Sequence, residues 1–125
     1  SKDADYLATA DDDMCLVVQV ENPTGLDALD DLLQVEGVDA VFIGPSDLSA
    51  NMGHIGNPGA PEVVAAVDDA LDRIAASDKA SGIMALDPAA AKAYLDRGVD
   101  FVAVSIDART LALSLRALAA EMRDR

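Results

Sequence analysis

The sequence predicts an α/β fold in which parallel strands alternate with helices. Short runs that are apolar on both faces alternate with segments of helical periodicity, and capping residues stand between the two. Strands of a parallel sheet are covered on both faces, so they form continuous apolar runs rather than alternating patterns. Four strand–helix units in a row favour either an open doubly wound sheet or part of a (β/α)₈ barrel.

The predicted strands are three clear apolar runs and one weaker run. They cover residues 16–20, 38–43, 81–85 and 101–104, of which 81–85 is the weaker. Residues 4–14 precede the first strand and are predicted to be the end of a helix followed by a loop.

The predicted helices follow the strands. In the clearest helix, Val63, Val67 and Ile74 belong to an apolar stripe at helical spacing, and acidic residues occupy the opposite side. This pattern is typical of a surface helix with one buried face. The four predicted helices cover residues 24–33, 61–76, 87–95 and 107–122.

Capping residues mark the ends of these helices. Thr24 and Asp87 are the predicted N-caps, and Pro88 follows Asp87 at the first helical position. Gly37 and Gly98 stand where helix C-caps are expected.

The chain length bounds the architecture. With 125 residues, 51% hydrophobic and 26% charged, the chain is predicted to be a single folded domain rather than a disordered segment. A complete (β/α)₈ barrel takes about 250 residues. Four strand–helix units are therefore too few to close a barrel alone, and the first and last strands are expected to be exposed edges.

The charge balance is strongly acidic. Asp and Glu number 23 against 9 Lys and Arg, a formal net charge of −14. No basic cluster is present to contact phosphates, so nucleic-acid binding is excluded as a function class. The excess of acidic residues predicts adaptation to high salt, with ordinary solvation of helix faces as the alternative interpretation.

The single cysteine and the absence of long apolar runs bear on location. Cys15 lies between Met14 and Leu16 and is predicted to be a buried core thiol. One cysteine forms no intrachain disulfide, which is compatible with a reducing compartment. No run approaches the roughly 20 apolar residues that span a bilayer, so a soluble, cytoplasmic protein is expected.

Two carboxylates follow consecutive predicted strands. Glu21 comes directly after the first strand, and Asp47 follows the second. Ligands of parallel α/β folds bind beyond the carboxyl ends of the strands, and a divalent ion such as Mg²⁺ or Mn²⁺ would relieve the repulsion between two carboxylates there. The alternative is that each carboxylate caps a following helix.

The segment 44–61 is rich in glycine and proline and is predicted to be a loop. Its peptide groups around Ser46 and Asp47 could hold a carboxylate, because glycines let backbone amides approach an anion closely. The only histidine, His54, lies in this segment and is interpreted as a structural hydrogen-bonding residue. No Ser/His/Asp or Cys/His constellation can be assembled.

Several segments together resemble the HpcH/HpaI aldolase/citrate lyase family of metal-dependent pyruvate aldolases. They are residues 18–21 (VQVE), 35–49 (VEGVDAVFIGPSDLS), 52–58 (MGHIGNP) and 101–104 (FVAV) with Asp107. The FIGPSDLS stretch is the most specific of these, and the resemblance runs from Leu16 to the last helix. It implies that residues 1–125 are the C-terminal half of one (β/α)₈ barrel domain, supplying strands five to eight.

The resemblance also implies roles for individual residues. Glu21 and Asp47 match the family's metal ligands, with Mg²⁺ or Mn²⁺ as the ion and Co²⁺ as a third option. Gln19, Gly44, Ser46 and Asp47 match substrate-binding positions, where amides hold the pyruvate carboxylate. The implied reaction cleaves a 4-hydroxy-2-oxo acid to pyruvate and an aldehyde, through an enolate that the ion stabilises, in the catabolism of aromatic compounds.

The family's catalytic arginine and its histidine–aspartate acid/base pair lie in the first half of the barrel, so no catalytic residue is assigned in this half. The rest of the barrel is therefore an expected partner, and a homo-oligomer is expected. Two alternatives remain open, a CoA-ester lyase of the citryl- or malyl-CoA type and a non-catalytic half-barrel. The scarcity of lysine argues against binding the phosphates of CoA.

Overall fold

The computed structural model describes residues 5–123, which form a four-stranded parallel sheet in the order β1-β2-β3-β4 with helices between the strands. The elements in chain order are α1 (Tyr6–Thr9), β1 (Val17–Val20), α2 (Pro23–Asp27), α3 (Leu29–Leu33), β2 (Ala40–Ile43), α4 (Pro45–Asn51), α5 (Pro61–Ala75), β3 (Ala80–Met84), α6 (Pro88–Arg97), β4 (Phe101–Ala103) and α7 (Asp107–Arg123).

Each strand pairs in parallel with the next strand along the chain. Val20 is opposite Ile43, and Ile43 is opposite Ile83. This register confirms the predicted repeat of strand–helix units and brings the carboxyl ends of all four strands to one edge of the sheet. Because β1 and β4 each pair on one side only, both are edge strands, as expected.

The core lies between the sheet and the helices that cover it. Ile43 and Ile83 are fully buried in the sheet, and α5 packs the predicted apolar stripe of Val63, Val67 and Ile74 against them. By contrast, α7 buries none of its residues within the described part of the chain.

One glycine allows a close approach inside the sheet. A Cβ at Gly82 of β3 would lie 2.6 Å from Cδ2 of Phe42 in β2. The rings of Phe42 and Phe101 come together across it, with centroids 5.8 Å apart. The two rings therefore pack over the Gly82 backbone on one face of the sheet.

The predicted helix 24–33 is wrong in detail. It is two short helices, α2 and α3, which join at Ala28. The N-cap is Asn22 rather than Thr24: the Asn22 side chain accepts a hydrogen bond from the Gly25 amide at 2.8 Å. Pro23 takes the first helical position, where its missing N–H costs nothing, so the helix begins earlier than predicted.

Of the three other predicted helix caps, one is wrong and two are confirmed. Helix α3 ends at Leu33 with Gln34 as its C-cap, so Gly37 caps no helix and instead supplies a left-handed turn residue (φ +86°) before β2. Gly98 is the left-handed C-cap of α6. Asp87 is its N-cap, as predicted.

Two further predictions are wrong. Cys15 is exposed, because it lies in the loop that leads into an edge strand rather than in the core. The segment 44–61 is not a continuous loop, since it begins with helix α4, whose Leu48 is fully buried. No helix within residues 5–123 is long and apolar enough to cross a membrane.

Candidate active site

The site predicted from the sequence lies at the carboxyl ends of β1 and β2. Glu21 follows β1 directly, and Asp47 lies in the first turn of α4, just beyond β2. The Gly44 amide donates to the Val20 carbonyl at 3.0 Å, which holds the two strand ends together.

Gln19 and Glu21 form the tightest side-chain contact at this edge. Nε2 of Gln19 donates to Oε2 of Glu21 at 2.6 Å. A Cβ at Gly44 would lie 2.9 Å from that Nε2 and 3.1 Å from that Oε2. A glycine at position 44 therefore leaves the space in which this hydrogen-bonded pair sits.

Asn51, which was not predicted, connects the two strand ends. Its Nδ2 donates to the Glu21 carbonyl at 3.2 Å and to the Asp47 carbonyl at 2.9 Å. The one available signal was its spacing of four residues from Asp47, which places both on one side of a helix. That signal could be interpreted only once α4 was known to be a helix.

Neither carboxylate caps a helix. Asn22 caps α2, and the N-cap position of α4 is Gly44, which has no side chain to offer. Within residues 5–123, the Asp47 carboxylate makes no hydrogen bond or ion pair, and Glu21 bonds only through Gln19 and Asn51. The alternative role of both residues as caps is therefore excluded.

These two carboxylates fit a hard divalent ion. The described chain contains no group of three or more His, Cys, Asp or Glu side chains arranged to hold a metal. Two carboxylates with the remaining positions filled by water and substrate oxygens are a donor set that Mg²⁺ commonly takes in proteins. A Cβ at Gly44 would lie 3.1 Å from Oε2 of Glu21, so a glycine at this position leaves space beside the Glu21 carboxylate.

A small cavity opens at the same edge. Its volume is about 230 Å³, and it brings together four of the five predicted site residues: Gln19, Gly44, Ser46 and Asp47. Ser46 and Asp47 hold the second and third positions of α4, where backbone amides have no acceptor within the helix. The Ser46 carbonyl accepts from the buried Ser49 hydroxyl at 2.7 Å, which fixes this turn.

A larger cavity of about 570 Å³ adjoins the small one. The two share Ser46, Met84 and Leu86. Tyr94 and Arg109 also line the larger cavity, and neither was predicted. They come from α6 and α7, and no local sequence pattern relates residues that far apart.

Two further side chains, those of His54 and Tyr94, each lie near an acidic residue. Nε2 of His54 lies 3.8 Å from Oε2 of Glu62, and His54 lines neither cavity, in keeping with its interpretation as a structural residue. Burial raises the pKa of Tyr94, with a further increase from the nearby Asp68 carboxylate. Tyr94 therefore keeps its proton at neutral pH.

Comparison with known proteins identifies relatives of this chain. The family model described as HpcH/HpaI aldolase/citrate lyase matches residues 4–113. A hydroxypyruvate/pyruvate aldolase from Pseudomonas aeruginosa is 56% identical over 96% of this chain and 45% of its own length. A 4-hydroxy-2-oxo-heptane-1,7-dioate aldolase from Klebsiella pneumoniae is 51% identical over 93% of this chain and 44% of its own length.

A solved structure confirms the fold class. The HpcH/HpaI aldolase/citrate lyase family protein from Burkholderia cenocepacia superposes with a TM-score of 0.87 and 37% identity, over 96% of this chain and 47% of that protein. The chain thus spans about half the length of the relatives it matches, and its four strand–helix units correspond to half of a (β/α)₈ barrel. On its sequence and its fold, the chain belongs to the HpcH/HpaI aldolase/citrate lyase family.

Proposed function

We propose that this chain is the C-terminal half of a divalent-metal-dependent aldolase barrel. The complete barrel would cleave 4-hydroxy-2-oxo acids to pyruvate and an aldehyde, and catalyse the reverse addition. The observation that carries this proposal is the small cavity in which Gln19, Gly44, Ser46 and Asp47 meet, with Glu21 hydrogen-bonded to Gln19 at its edge.

Glu21 and Asp47 would hold the ion, Mg²⁺ or Mn²⁺, as the two protein ligands. When bound, the ion supplies Lewis-acid stabilisation of the negative charge that develops on the pyruvate oxygens as the carbon–carbon bond breaks. Gln19 donates to Oε2 of Glu21 and so would orient this carboxylate for the ion. Asn51 holds the main chain of both ligand residues in place.

The pyruvate carboxylate would bind at the start of α4. The amides of Ser46 and Asp47 lie in the first turn of α4 and have no acceptor within the helix, so they are available to an anion. Gly44 lines the cavity without contributing a side chain. The acid–base groups would come from the other half of the barrel, so the 125-residue chain alone is expected to be inactive.

The CoA-ester lyase alternative is less well supported. Binding CoA requires cations for its phosphates, and the larger cavity is lined by a single basic residue, Arg109, among the described residues. The two curated relatives described above are both named as aldolases. An aldehyde-releasing reaction therefore accounts for more of the observations than thioester cleavage.

The experiment uses the complete protein that carries this chain together with the N-terminal half of its barrel. Pyruvate release from a 4-hydroxy-2-oxo acid is followed in the presence of Mg²⁺ or Mn²⁺, and cleavage of citryl-CoA and malyl-CoA is followed in parallel. We expect pyruvate release and no thioester cleavage. Thioester cleavage without pyruvate release would favour the lyase alternative, and neither activity would favour a non-catalytic half-barrel.

We further propose that the complete protein is a homo-oligomer adapted to high salt. Several large apolar side chains of α7 are about half exposed or more, which supports a contact beyond this chain. The net charge of −14 supports the second part of the proposal.

A further inference from the structure

The small cavity is bounded by an aromatic ring to which the proposed chemistry assigns no role. Phe42 lines this cavity of about 230 Å³ beside Gln19, Gly44 and Asp47. Strand residues two positions apart share a face of the sheet, so Phe42 lies on the same face as Gly44 and one layer deeper along β2. The ring therefore bounds the cavity on the side toward the amino ends of the strands.

Phe42 belongs to a row of residues that lie side by side on one face of the sheet. It is in register with Gln19 of β1 on one side and with Gly82 of β3 on the other, and Gly82 is in register with Phe101 of β4. Gln19 is the residue that donates to the Glu21 carboxylate. The Phe42 ring thus lies between the partner of a proposed metal ligand and a position that has no side chain.

The ring occupies the space that a side chain at position 82 would need. A Cβ at Gly82 would lie 2.6 Å from Cδ2 of Phe42 and 3.5 Å from Cδ1 of Phe101. The planes of the two rings make an angle of 48°, so the rings meet over the glycine in a tilted arrangement. A methyl group at position 82 would therefore displace the Phe42 ring, and one open space that this ring borders is the small cavity.

Folding alone does not require this distribution of volume. A glycine inside a strand costs stability and often marks a close approach by another group. A branched residue at position 82 with a smaller residue at position 42 would fill a similar volume without a glycine. The bulk is instead at position 42, which lines the small cavity, and is absent from position 82, which lines neither cavity.

We propose that Phe42 is a specificity-determining residue that limits the size of the 2-oxo acid at C3, and that Gly82 is the positioning residue that lets its ring lie in place. With the carboxylate on the amides of Ser46 and Asp47, the methyl group is the apolar end of pyruvate, and it would contact the ring. A larger group at C3 would collide with the ring. This inference rests on the proposed aldolase function and adds which 2-oxo acids the site accepts.

The test compares two 2-oxo acids in the addition to succinic semialdehyde by the complete protein. Pyruvate carries a methyl group as C3, and 2-oxobutanoate is one carbon longer there. The measured quantity is the ratio of kcat/KM for 2-oxobutanoate to kcat/KM for pyruvate, in the wild type, in Phe42→Leu, in Gly82→Ala and in the variant with both changes. Binding of each 2-oxo acid without aldehyde, by isothermal titration calorimetry in the presence of Mn²⁺, gives a second readout that does not depend on turnover.

Ile83→Val is the matched control. Ile83 is the neighbour of Gly82 in β3, is fully buried and lines neither cavity. Its shortening changes the packing of the same strand on the opposite face of the sheet. It should therefore leave the ratio unchanged.

We expect Phe42→Leu to raise the ratio by about tenfold or more, which is what one carbon is worth in an apolar pocket. Gly82→Ala should lower the ratio, because the displaced ring narrows the cavity, and the double variant should return it toward the wild-type value. The ratio of the two dissociation constants should change in the same direction in each variant.

A ratio that Phe42→Leu does not alter, or that Ile83→Val alters equally, overturns the inference. A double variant that is no closer to the wild type than Gly82→Ala overturns the role of Gly82. If Gly82→Ala does not fold, Phe42→Leu still decides whether the ring limits the 2-oxo acid. No addition of either 2-oxo acid by the wild type would instead overturn the proposed function.

Discussion

The residue at position 44 limits the space that the Gln19 and Glu21 side chains can occupy. The two side chains meet at 2.6 Å, and the space beside them is the space that a side chain at position 44 would take. Gly44 is itself buried, with the Gln19 and Glu21 side chains on one side and the Val20 carbonyl bonded to its amide. A single methyl group there has no room unless the hydrogen-bonded pair of Gln19 and Glu21 moves.

Gly44→Ala is therefore expected to weaken metal binding by the complete protein by about tenfold or more, through displacement of a ligand. Binding of Mn²⁺ can be measured directly by electron paramagnetic resonance. Gly59→Ala is the matched control, because a Cβ at Gly59 would meet Oδ1 of Asn57 at 3.8 Å, an ordinary contact. Equal Mn²⁺ affinity in the wild type and in Gly44→Ala would contradict the role assigned to this position.

At the scale of residues, the sequence predicted that the two proposed ligands lie at one edge of the sheet, but it did not predict Asn51, which connects them. Glu21 and Asp47 could be predicted because each follows an apolar run, and parallel pairing then brings the ends of adjacent strands together. Asn51 could not, because its contacts depend on α4. The exposure of Cys15 was missed for a related reason, since apolar neighbours indicate burial only inside an interior strand.

Among the elements, the edge strand β4 is attached to the sheet by a side chain as well as by its backbone. Asp100 precedes β4, and its Oδ2 accepts from the Ser81 amide at 2.8 Å and from the Ser81 hydroxyl at 3.0 Å. These hydrogen bonds, the one from the backbone amide being the larger cause, hold the pKa of Asp100 below its usual range.

This lowered pKa predicts a pH dependence of stability. The carboxylate contributes fully above its unfolded pKa of about 4, and the contribution is lost as the pH falls through the lower folded pKa. Asp100→Asn should therefore reduce the free energy of unfolding at pH 7 by about 1 kcal/mol. The difference from the wild type should shrink below about pH 4. Denaturant unfolding from pH 7 to pH 2.5 measures it, and a difference that stays constant over that range would contradict the assignment.

Longer elements were the easier ones to predict. Helix α5 has fifteen residues with a regular apolar stripe, and its predicted end at residue 76 differs from the observed Ala75 by one position. Helices α2, α3 and α4 have five to seven residues, too few for a periodic pattern to be recognised. In α4 the flanking Gly44 and Pro45 favoured a loop, although burial of Leu48 stabilises a helix there.

For the whole molecule, the acidic charge predicts a response to salt. With 23 acidic against 9 basic side chains, repulsion outweighs attraction over the surface. The Debye length, over which salt screens a charge, falls from about 10 Å at 0.1 M salt to about 3 Å at 1 M. Salt also weakens the ion pairs of Arg73 and Arg97, but these involve few of the acidic residues.

The melting temperature of the protein is therefore expected to rise between 0.1 M and 2 M KCl. Differential scanning calorimetry at several concentrations checks this expectation. A melting temperature that stays flat or falls across the range would mean that the acidic residues serve ordinary surface solvation.

In the whole molecule, Glu21 and Asp47 at adjacent strand ends are proposed to serve a metal-dependent carbon–carbon lyase. The most direct measurement is pyruvate release from a 4-hydroxy-2-oxo acid by the complete protein and by its Asp47→Ala variant. Each is assayed after chelation and after return of Mg²⁺ or Mn²⁺. The wild type should lose activity with the chelator and regain it with the ion, whereas Asp47→Ala should stay inactive at every metal concentration at which it remains folded by circular dichroism. Wild-type turnover in Asp47→Ala, or turnover that the chelator leaves unchanged, would contradict the claim.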